Sequence, residues 1–121
     1  MMYTISQRFY FDAAHTLQRE IETAGSRRIH GHTYHAEVSV SGPRDPENGM
    51  VLDLGFLRLR LEGVREQLDH HFLDEVPNLG TPTLENLCTF IATQLADVNP
   101  PVSRVRVWRD AIGDACVLDL L

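Results

Sequence analysis

The sequence predicts an α+β domain in which four antiparallel strands and two helices follow in the order ββααββ. Apolar and polar residues alternate near both ends of the chain, which is typical of half-buried strands. Between them, two stretches repeat apolar residues at three- and four-residue steps, as on one face of a helix. No linker, repeat or low-complexity segment interrupts the 121 residues, so we expect a single domain over residues 1–121.

The first two strands are predicted on either side of a long polar segment. Residues 3–13 alternate, and His15 lies on the apolar face just past the regular part. Residues 16–29 are mostly polar and charged, so we expect a loop, and a loop this long in a compact domain is often functional. A second alternating strand is predicted over residues 34–40 and ends at a Gly-Pro pair, residues 42–43.

The two helices are predicted from apolar stripes and boundary residues. Asp53 can cap the first helix, which should end near residues 69–71, although residues 57–61 also alternate as in a strand. The second opens at Thr-Pro-Thr, residues 81–83, with Glu85 in its first turn, and residues 99–101 stop it. The stripe residues are Leu54, Leu57, Leu61, Val64 and Leu68 in the first helix and Leu84, Leu87, Cys88, Ile91 and Leu95 in the second.

Two further strands are predicted after the helices. Val105 and Val107 alternate with polar neighbours in the third strand, and the apolar residues 115–121 form a short fourth. An open four-stranded sheet has two unpaired edges, and such edges favour pairing between subunits. We therefore expect a homo-oligomer.

Composition excludes several classes of protein. The formal net charge is −6, and a nucleic-acid binder would instead present a basic patch. All 11 basic residues are arginines, so a lysine Schiff base is excluded. No run approaches the roughly 18 apolar residues of a membrane helix, and the N-terminus does not resemble a signal peptide, so we expect a cytoplasmic protein. Cys88 and Cys116 fall on apolar patterns and are expected to be buried free thiols.

Three histidines form a candidate metal site. His30 and His32 are two residues apart and point to one face of an extended chain, where Gly31 would let the backbone come close. His15, from a neighbouring strand, would complete the set. Three protein ligands with one open position are typical of a catalytic zinc, although imidazole also suits copper, iron and nickel. Paired histidines around a glycine also occur without a metal, and that alternative stays open at this point.

Asp69 and His70 form a second candidate constellation. Asp69 lies at the predicted C-terminal end of a helix, where the helix dipole disfavours a carboxylate. A carboxylate beside a histidine can orient the imidazole and stabilise its charged form. The alternative is that Asp69 merely begins a loop. His71 is expected to pack beside Phe72 or to face solvent.

Five short segments spread over nearly the whole chain form a recognisable set. They are Phe-Asp-Ala-Ala-His at 11–15, His-Gly-His-Thr-Tyr at 30–34, Gly-Met-Val-Leu-Asp at 49–53, Leu-Asp-His-His at 68–71 and Pro-Thr-Leu-Glu-Asn at 82–86. Together and in this order they resemble the 6-pyruvoyltetrahydropterin synthase and 6-carboxytetrahydropterin synthase family. The short length resembles the bacterial carboxytetrahydropterin synthase of queuosine (7-deazaguanine) synthesis.

The resemblance implies a tunnelling fold that assembles into trimers and hexamers with active sites at subunit interfaces. It implies Zn²⁺ bound by His15, His30 and His32. It also implies proton transfer by Asp69 and His70. The implied substrate is 7,8-dihydroneopterin triphosphate or a related pterin, whose triphosphate is eliminated before carbon–carbon cleavage releases acetaldehyde.

The pterin site that the resemblance implies involves Thr83, Glu85 and the end of the third strand. Arg109 stands there in place of the family's pterin-anchoring glutamate, and an arginine offers only hydrogen-bond donors. Arg109 could pair with an anionic substrate group or lie solvated at the strand end. Asp110 could replace the glutamate only if a bulge re-aimed it.

The family's catalytic cysteine position, four residues before His30, holds Ser26. A serine hydroxyl is a much weaker acid than a thiol and needs a strong base nearby, which His70 could supply. Alternatively, Ser26 is only a loop residue. Together, the replacements at residues 26 and 109 leave two alternatives to the zinc lyase: a diverged paralogue with another substrate, or a non-catalytic metal-binding module.

Overall fold

Four antiparallel strands form one sheet, as expected from the sequence. The computed structural model describes residues 1–120. The elements are β1 Tyr3–His15, α1 Thr23–Arg27, β2 His30–Gly42, α2 Leu54–Leu68, a 3-10 turn Leu73–Glu75, α3 Leu84–Gln94, β3 Val102–Arg109 and β4 Asp114–Asp119. The strands lie in the order β1-β2-β3-β4 in the sheet. Helix α2 packs against β1, and α3 packs against β3 and β4.

The β1–β2 pair is the longest and most regular part of the sheet. Its register runs without a shift from Tyr3 opposite Gly42 to His15 opposite His30. The β2–β3 pair has one irregularity, between Ser39 and Val40. The uninterrupted first pair extends strand geometry to both histidines, beyond the predicted limits of residues 13 and 34.

The core lies between the sheet and the two longer helices. Leu57 is fully buried, whereas Leu59 is 65% exposed, so the helical stripe prevails over the local alternation at residues 57–61. Asp53 Oδ1 accepts a hydrogen bond from Gly55 N at 2.8 Å, which confirms the predicted cap. The principal buried contributors to the core are Phe11, Tyr34, Ala36, Val38, Leu57, Leu61, Leu68, Leu87, Ile91, Val105 and Val107.

The expectation of a loop over residues 16–29 is partly wrong, because α1 occupies Thr23–Arg27. Ser26 N donates to Glu22 O at 2.9 Å, and Leu17 N donates to Ser26 O at 2.7 Å. These backbone bonds fold the segment back on itself. A helix of five residues with one buried side chain carries no apolar stripe, so periodicity does not reveal it.

The end of the chain and the cysteines agree with the sequence only in part. The fourth strand begins at Asp114 and ends at Asp119, and Leu121, included in its prediction, lies outside the described residues. Both thiols are free, but only Cys88 is fully buried and Cys116 is half-buried.

Among residues 1–120, no helix combines the length and apolar character needed to cross a membrane.

Truncating Leu57 should test the packing of α2. We expect Leu57→Ala to lower the free energy of unfolding by about 2–5 kcal/mol, because it leaves a cavity in the core. The matched control, Leu59→Ala, removes an exposed side chain from the same helix and should change it by no more than about 0.5 kcal/mol. Urea unfolding measures both, and equal losses would contradict the observed orientation of α2.

Candidate functional site

Three imidazoles converge at the paired ends of β1 and β2. The ring centres of His15 and His30 lie 4.5 Å apart, those of His15 and His32 4.9 Å, and those of His30 and His32 4.8 Å. One nitrogen atom from each ring lies within 4.8 Å of the others. His15 and His30 face each other across the two strands, and His32 lies two residues further along β2. The three rings therefore form one cluster, as the spacing predicted.

The chemistry of these nitrogens fits a metal ion. Both ring nitrogens of His15 and Nε2 of His32 are buried without a hydrogen-bond partner. His30 Nδ1 lies 2.8 Å from Arg28 O, which orients that ring and leaves its Nε2 free. Buried polar atoms without partners are costly unless something binds them, and three free imidazole nitrogens are a suitable ligand set for zinc.

Gly31 has a smaller role than the sequence suggested. A Cβ atom built on Gly31 would lie 3.7 Å from Ala13 O, an ordinary van der Waals contact. The close pairing of the strands therefore does not require glycine between the two histidines, and that expectation was wrong.

Burial keeps two of the three imidazoles neutral. Desolvation, reinforced by the charge of His30, lowers the pKa of His15 from 6.5 to about 4. Desolvation and then the charge of Arg109 lower the pKa of His32 from 6.5 to about 4. Near pH 7 both rings are neutral and can donate a lone pair to a metal.

Asp69 is the C-cap of α2, and its carboxylate reaches across to β1. Asp69 Oδ1 accepts from Asp12 N at 2.9 Å, and Oδ2 lies 2.8 Å from His70 Nδ1. The Asp12 N–H and then the His70 contact lower the pKa of the Asp69 carboxyl. The helix dipole disfavours a carboxylate at the C-terminal end of α2, but Asp69 has hydrogen-bond partners there in Asp12 and His70. The predicted pairing of Asp69 with His70 is therefore present.

The backbone presents His70 outward. His70 adopts the left-handed conformation at φ 58°, and its N–H donates to Asp12 O at 2.7 Å. Its side chain is 79% exposed and lines a recess of about 510 Å³ together with His32 and Thr33. With Nδ1 held by Asp69, Nε2 is the ring nitrogen available to a ligand. His71 is also exposed, but its Nε2 lies 3.1 Å from Glu66 O rather than facing a carboxylate.

Ser26 does not join this dyad within one chain. Its side chain is buried in α1, and Oγ donates to Thr23 O at 3.0 Å. Over residues 1–120, no hydrogen bond links Ser26 to His70. The serine hydroxyl is therefore not hydrogen-bonded to the histidine that the sequence suggested as its base.

Arg109 is buried, which excludes the alternative of a solvated arginine at the strand end. Its residue is 5% exposed, and Nη2 donates to Asp114 Oδ2 at 2.9 Å. It lines a recess of about 520 Å³ with Thr83 and Glu85, so the three predicted substrate-binding residues do come together. Thr83 also caps α3, where its Oγ1 accepts from Asn86 N at 3.1 Å.

Asp110 does not replace a carboxylate in this recess. Its Oδ2 lies 3.4 Å from Nε2 of His35, whose ring stacks on Trp108. Arg109 pairs regularly with Asp114, so no bulge re-aims the neighbouring residue.

Two further residues support the histidines, and sequence reasoning did not assign them roles. Tyr34 is fully buried with its hydroxyl unpartnered, and its ring centre lies 5.6 Å from that of His32. Burial raises the pKa of Tyr34 to about 12. Asp74 Oδ1 accepts from Thr16 N at 2.8 Å, which fixes the chain after His15. Tyr34 lies two residues beyond His32 on the same face of β2, so the spacing in the sequence could have indicated its place beside the cluster. No pattern in the sequence around Asp74 indicates its contact with Thr16.

The chain matches the model of the 6-pyruvoyl tetrahydropterin synthase family over residues 4–118. The protein belongs to this family. It is 33% identical over 105 residues to 6-carboxy-5,6,7,8-tetrahydropterin synthase of Synechocystis sp., covering 83% of this chain and 80% of the relative. It is 32% identical over 107 residues to dihydroneopterin monophosphate aldolase of Pyrococcus furiosus, covering 86% and 87%.

Solved structures of the family share the fold. The chain superposes on Caenorhabditis elegans 6-pyruvoyl tetrahydropterin synthase with a TM-score of 0.83 at 24% identity, covering 98% of this chain and 96% of the other. The Plasmodium vivax enzyme gives 0.72 at 17% identity, covering 99% of both. The predicted tunnelling fold is confirmed. The family relationship indicates a tetrahydropterin synthase-like function in the pterin pathway, and the lyase activity of its members supports an enzymatic role.

The depressed pKa values predict how stability depends on pH in metal-free protein. Histidines of the unfolded chain ionise near pH 6.5, but His15 and His32 of the folded chain ionise near pH 4. The unfolded chain therefore binds more protons between these values, and stability should fall as the pH is lowered from 6.5 toward 4. Thermal unfolding in chelator across this range measures the effect.

His15→Asn removes one of these groups and should flatten the pH dependence. The matched control, His71→Asn, changes an exposed histidine and should leave the slope as in the wild type. The pKa of Asp69 is lowered from 3.8, so protonation of Asp69 should reduce the stability only at pH values near and below 3.8. An unchanged slope in His15→Asn would contradict a buried neutral imidazole.

Proposed function

We propose that the protein is a zinc-dependent lyase that resembles 6-carboxy-5,6,7,8-tetrahydropterin synthase. Its substrate is 7,8-dihydroneopterin triphosphate or a related pterin, in queuosine or pterin biosynthesis in the cytoplasm. The observation that carries the proposal is the cluster of His15, His30 and His32, whose buried nitrogens lack partners. The clustered nitrogens lie next to a recess that also contains His70, a histidine oriented by a carboxylate.

Zinc held by the three histidines would supply Lewis-acid polarisation at oxygens of the pterin side chain. His70 is proposed to accept and return the proton at Nε2, because Nδ1 is occupied by Asp69. The Asp69 carboxylate stabilises the imidazolium that forms and holds the ring orientation. The Asp12 N–H and Arg65, whose Nη2 lies 3.4 Å from Asp69 Oδ2, keep that carboxylate ionised.

Ser26 has a secondary part in this proposal. Its hydroxyl donates to the Thr23 carbonyl oxygen, and over residues 1–120 no hydrogen bond joins it to His70, so it is poorly placed to exchange a proton with that histidine within one chain. The proton-transfer role therefore falls on the Asp69–His70 pair. An oligomer could bring a group of a second subunit to Ser26, and we propose a homo-trimer or homo-hexamer formed through the edge strands β1 and β4.

A second candidate function is an aldolase-type carbon–carbon cleavage of a dihydroneopterin derivative without triphosphate elimination. The absence of a thiol at residue 26 favours it, since such a cleavage needs one positioned base and an electrophile rather than a second acid–base pair. The 32% identity to a dihydroneopterin monophosphate aldolase, over 86% of this chain, gives it a chemical precedent in the family.

Removing one histidine should abolish metal binding and turnover together. We expect wild-type protein to bind one zinc per chain and His30→Ala to bind it at least about 100-fold more weakly, because a direct ligand is lost. His71→Ala removes an exposed histidine outside the cluster and should keep zinc. Zinc analysis and turnover of 7,8-dihydroneopterin triphosphate measure both, and full activity in zinc-free His30→Ala would exclude the mechanism.

Replacing the acid–base pair should separate chemistry from metal binding. We expect His70→Gln to lower kcat by about 10²–10⁴-fold while zinc content stays unchanged. Ser26→Ala should lower kcat much less. The reverse order of the two variants would transfer the proton-transfer role to the serine.

The products distinguish the two candidate reactions. Carboxytetrahydropterin together with acetaldehyde would identify the synthase reaction, whereas a hydroxymethyl pterin together with glycolaldehyde or its phosphate ester would identify the aldolase reaction. Formation of neither, by zinc-loaded protein, would leave the metal site in place and reject both reactions.

A further inference from the structure

The two cysteines of the chain meet where α3 packs against β4, on elements that do not carry the histidine cluster. Cys88 is the fifth residue of α3 and one of the buried residues of that helix. Half-buried and exposed residues alternate along β4, and Cys116 belongs to the half-buried set that packs against the core. Both thiols are free, and the proposed lyase chemistry uses neither of them.

The sulfur of Cys88 lies against the other cysteine residue. Cys88 Sγ is 3.6 Å from Cys116 O and 3.8 Å from Val105 O. These two carbonyl groups belong to β4 and β3, which pair with each other, so the thiol sits over the β3–β4 pair. A disulfide needs the two sulfurs at about 2.05 Å, so the side chain of Cys116 has to turn toward Cys88 for a bond to form.

The two thiols differ in their access to solvent. Cys88 is 1% exposed, and burial followed by the neighbouring Cys116 thiol raises the pKa of Cys88 to about 12. Because the thiolate is the reactive form of cysteine, Cys88 is protected from direct attack on a dissolved oxidant near pH 7. Cys116 is half-buried, and it is therefore the cysteine that a small oxidant reaches first.

We propose that Cys88 and Cys116 form a modification site at which hydrogen peroxide produces a disulfide between α3 and β4. The Cys116 thiolate attacks peroxide, the O–O bond breaks, and Cys116 becomes a sulfenic acid as one water is released. The sulfur of Cys88 then displaces the sulfenic oxygen, which leaves as a second water with the proton of the Cys88 thiol. The two thiols together lose two electrons, and one peroxide is reduced to two waters.

The bond would connect two elements that line one recess. Residues 84–85 of α3 and residues 114–115 of β4 both line the recess that contains Arg109. Because β4 is the outermost strand of the sheet, a bond from Cys116 to Cys88 would fix that strand to a helix as well as to β3. The bond closes a loop between residues 28 positions apart, which restricts the unfolded chain and stabilises the folded one. This modification does not depend on the proposed lyase activity.

Peptide mapping of oxidised wild-type protein tests the site without any substitution. Reduced, folded protein is treated with hydrogen peroxide, its remaining thiols are alkylated, and it is digested with trypsin without reductant. Cleavage after Arg104 and Arg109 places the two cysteines in separate peptides. We expect these peptides to be joined, with a mass lower by two hydrogen atoms than their sum. The thermal midpoint should rise by at least about 5 °C and return to its original value when reductant is added.

Single substitutions test the order of the two steps. In Cys88→Ala, Cys116 should stop at the sulfenic acid, which a cyclic 1,3-diketone traps, and the thermal midpoint should not rise. In Cys116→Ser, the buried Cys88 should stay reduced under the same treatment. Joined peptides that come only from two different subunits, an unjoined pair in oxidised wild type, or equally fast oxidation of Cys88 in Cys116→Ser would overturn the proposal.

Discussion

The unbroken antiparallel register between β1 and β2 is the constraint on which the site depends. It runs through 13 residue pairs and ends with His15 facing His30. Side chains alternate between the faces of a strand, so a slip of one residue would move one histidine of the cluster to the opposite face. The apolar residues beneath, Phe11 and Tyr34, stack with ring centres 4.9 Å apart and fix that register from within the core.

The same packing determines the chemistry of the histidines. The buried ring of Tyr34 lies beside the cluster, with its centre 6.3 Å from that of His15 and 5.6 Å from that of His32. Burial is the largest cause of the lowered pKa of His15 and His32. Neutral rings bind metals and also tolerate a neighbouring cation. Arg109 can therefore be buried near them, whereas beside protonated histidines its charge would be strongly unfavourable.

The two recesses divide the proposed chemistry. One contains His70, oriented by Asp69 and anchored through backbone bonds to β1. The other contains Arg109 and Glu85. The histidine cluster lies at the junction of these functions, because His32 lines the first recess and is influenced electrostatically by the arginine of the second.

The sequence by itself determined the strands, the two longer helices and the histidine set, because period-two and helical patterns and a two-residue spacing are local properties. It also identified Asp69 and His70 and, through motifs, the family. Only the tertiary structure decided that Arg109 is buried, that Ser26 hydrogen-bonds within α1 and that Asp110 faces away. Burial and side-chain partners depend on which distant segments pack together, and no local pattern encodes those contacts.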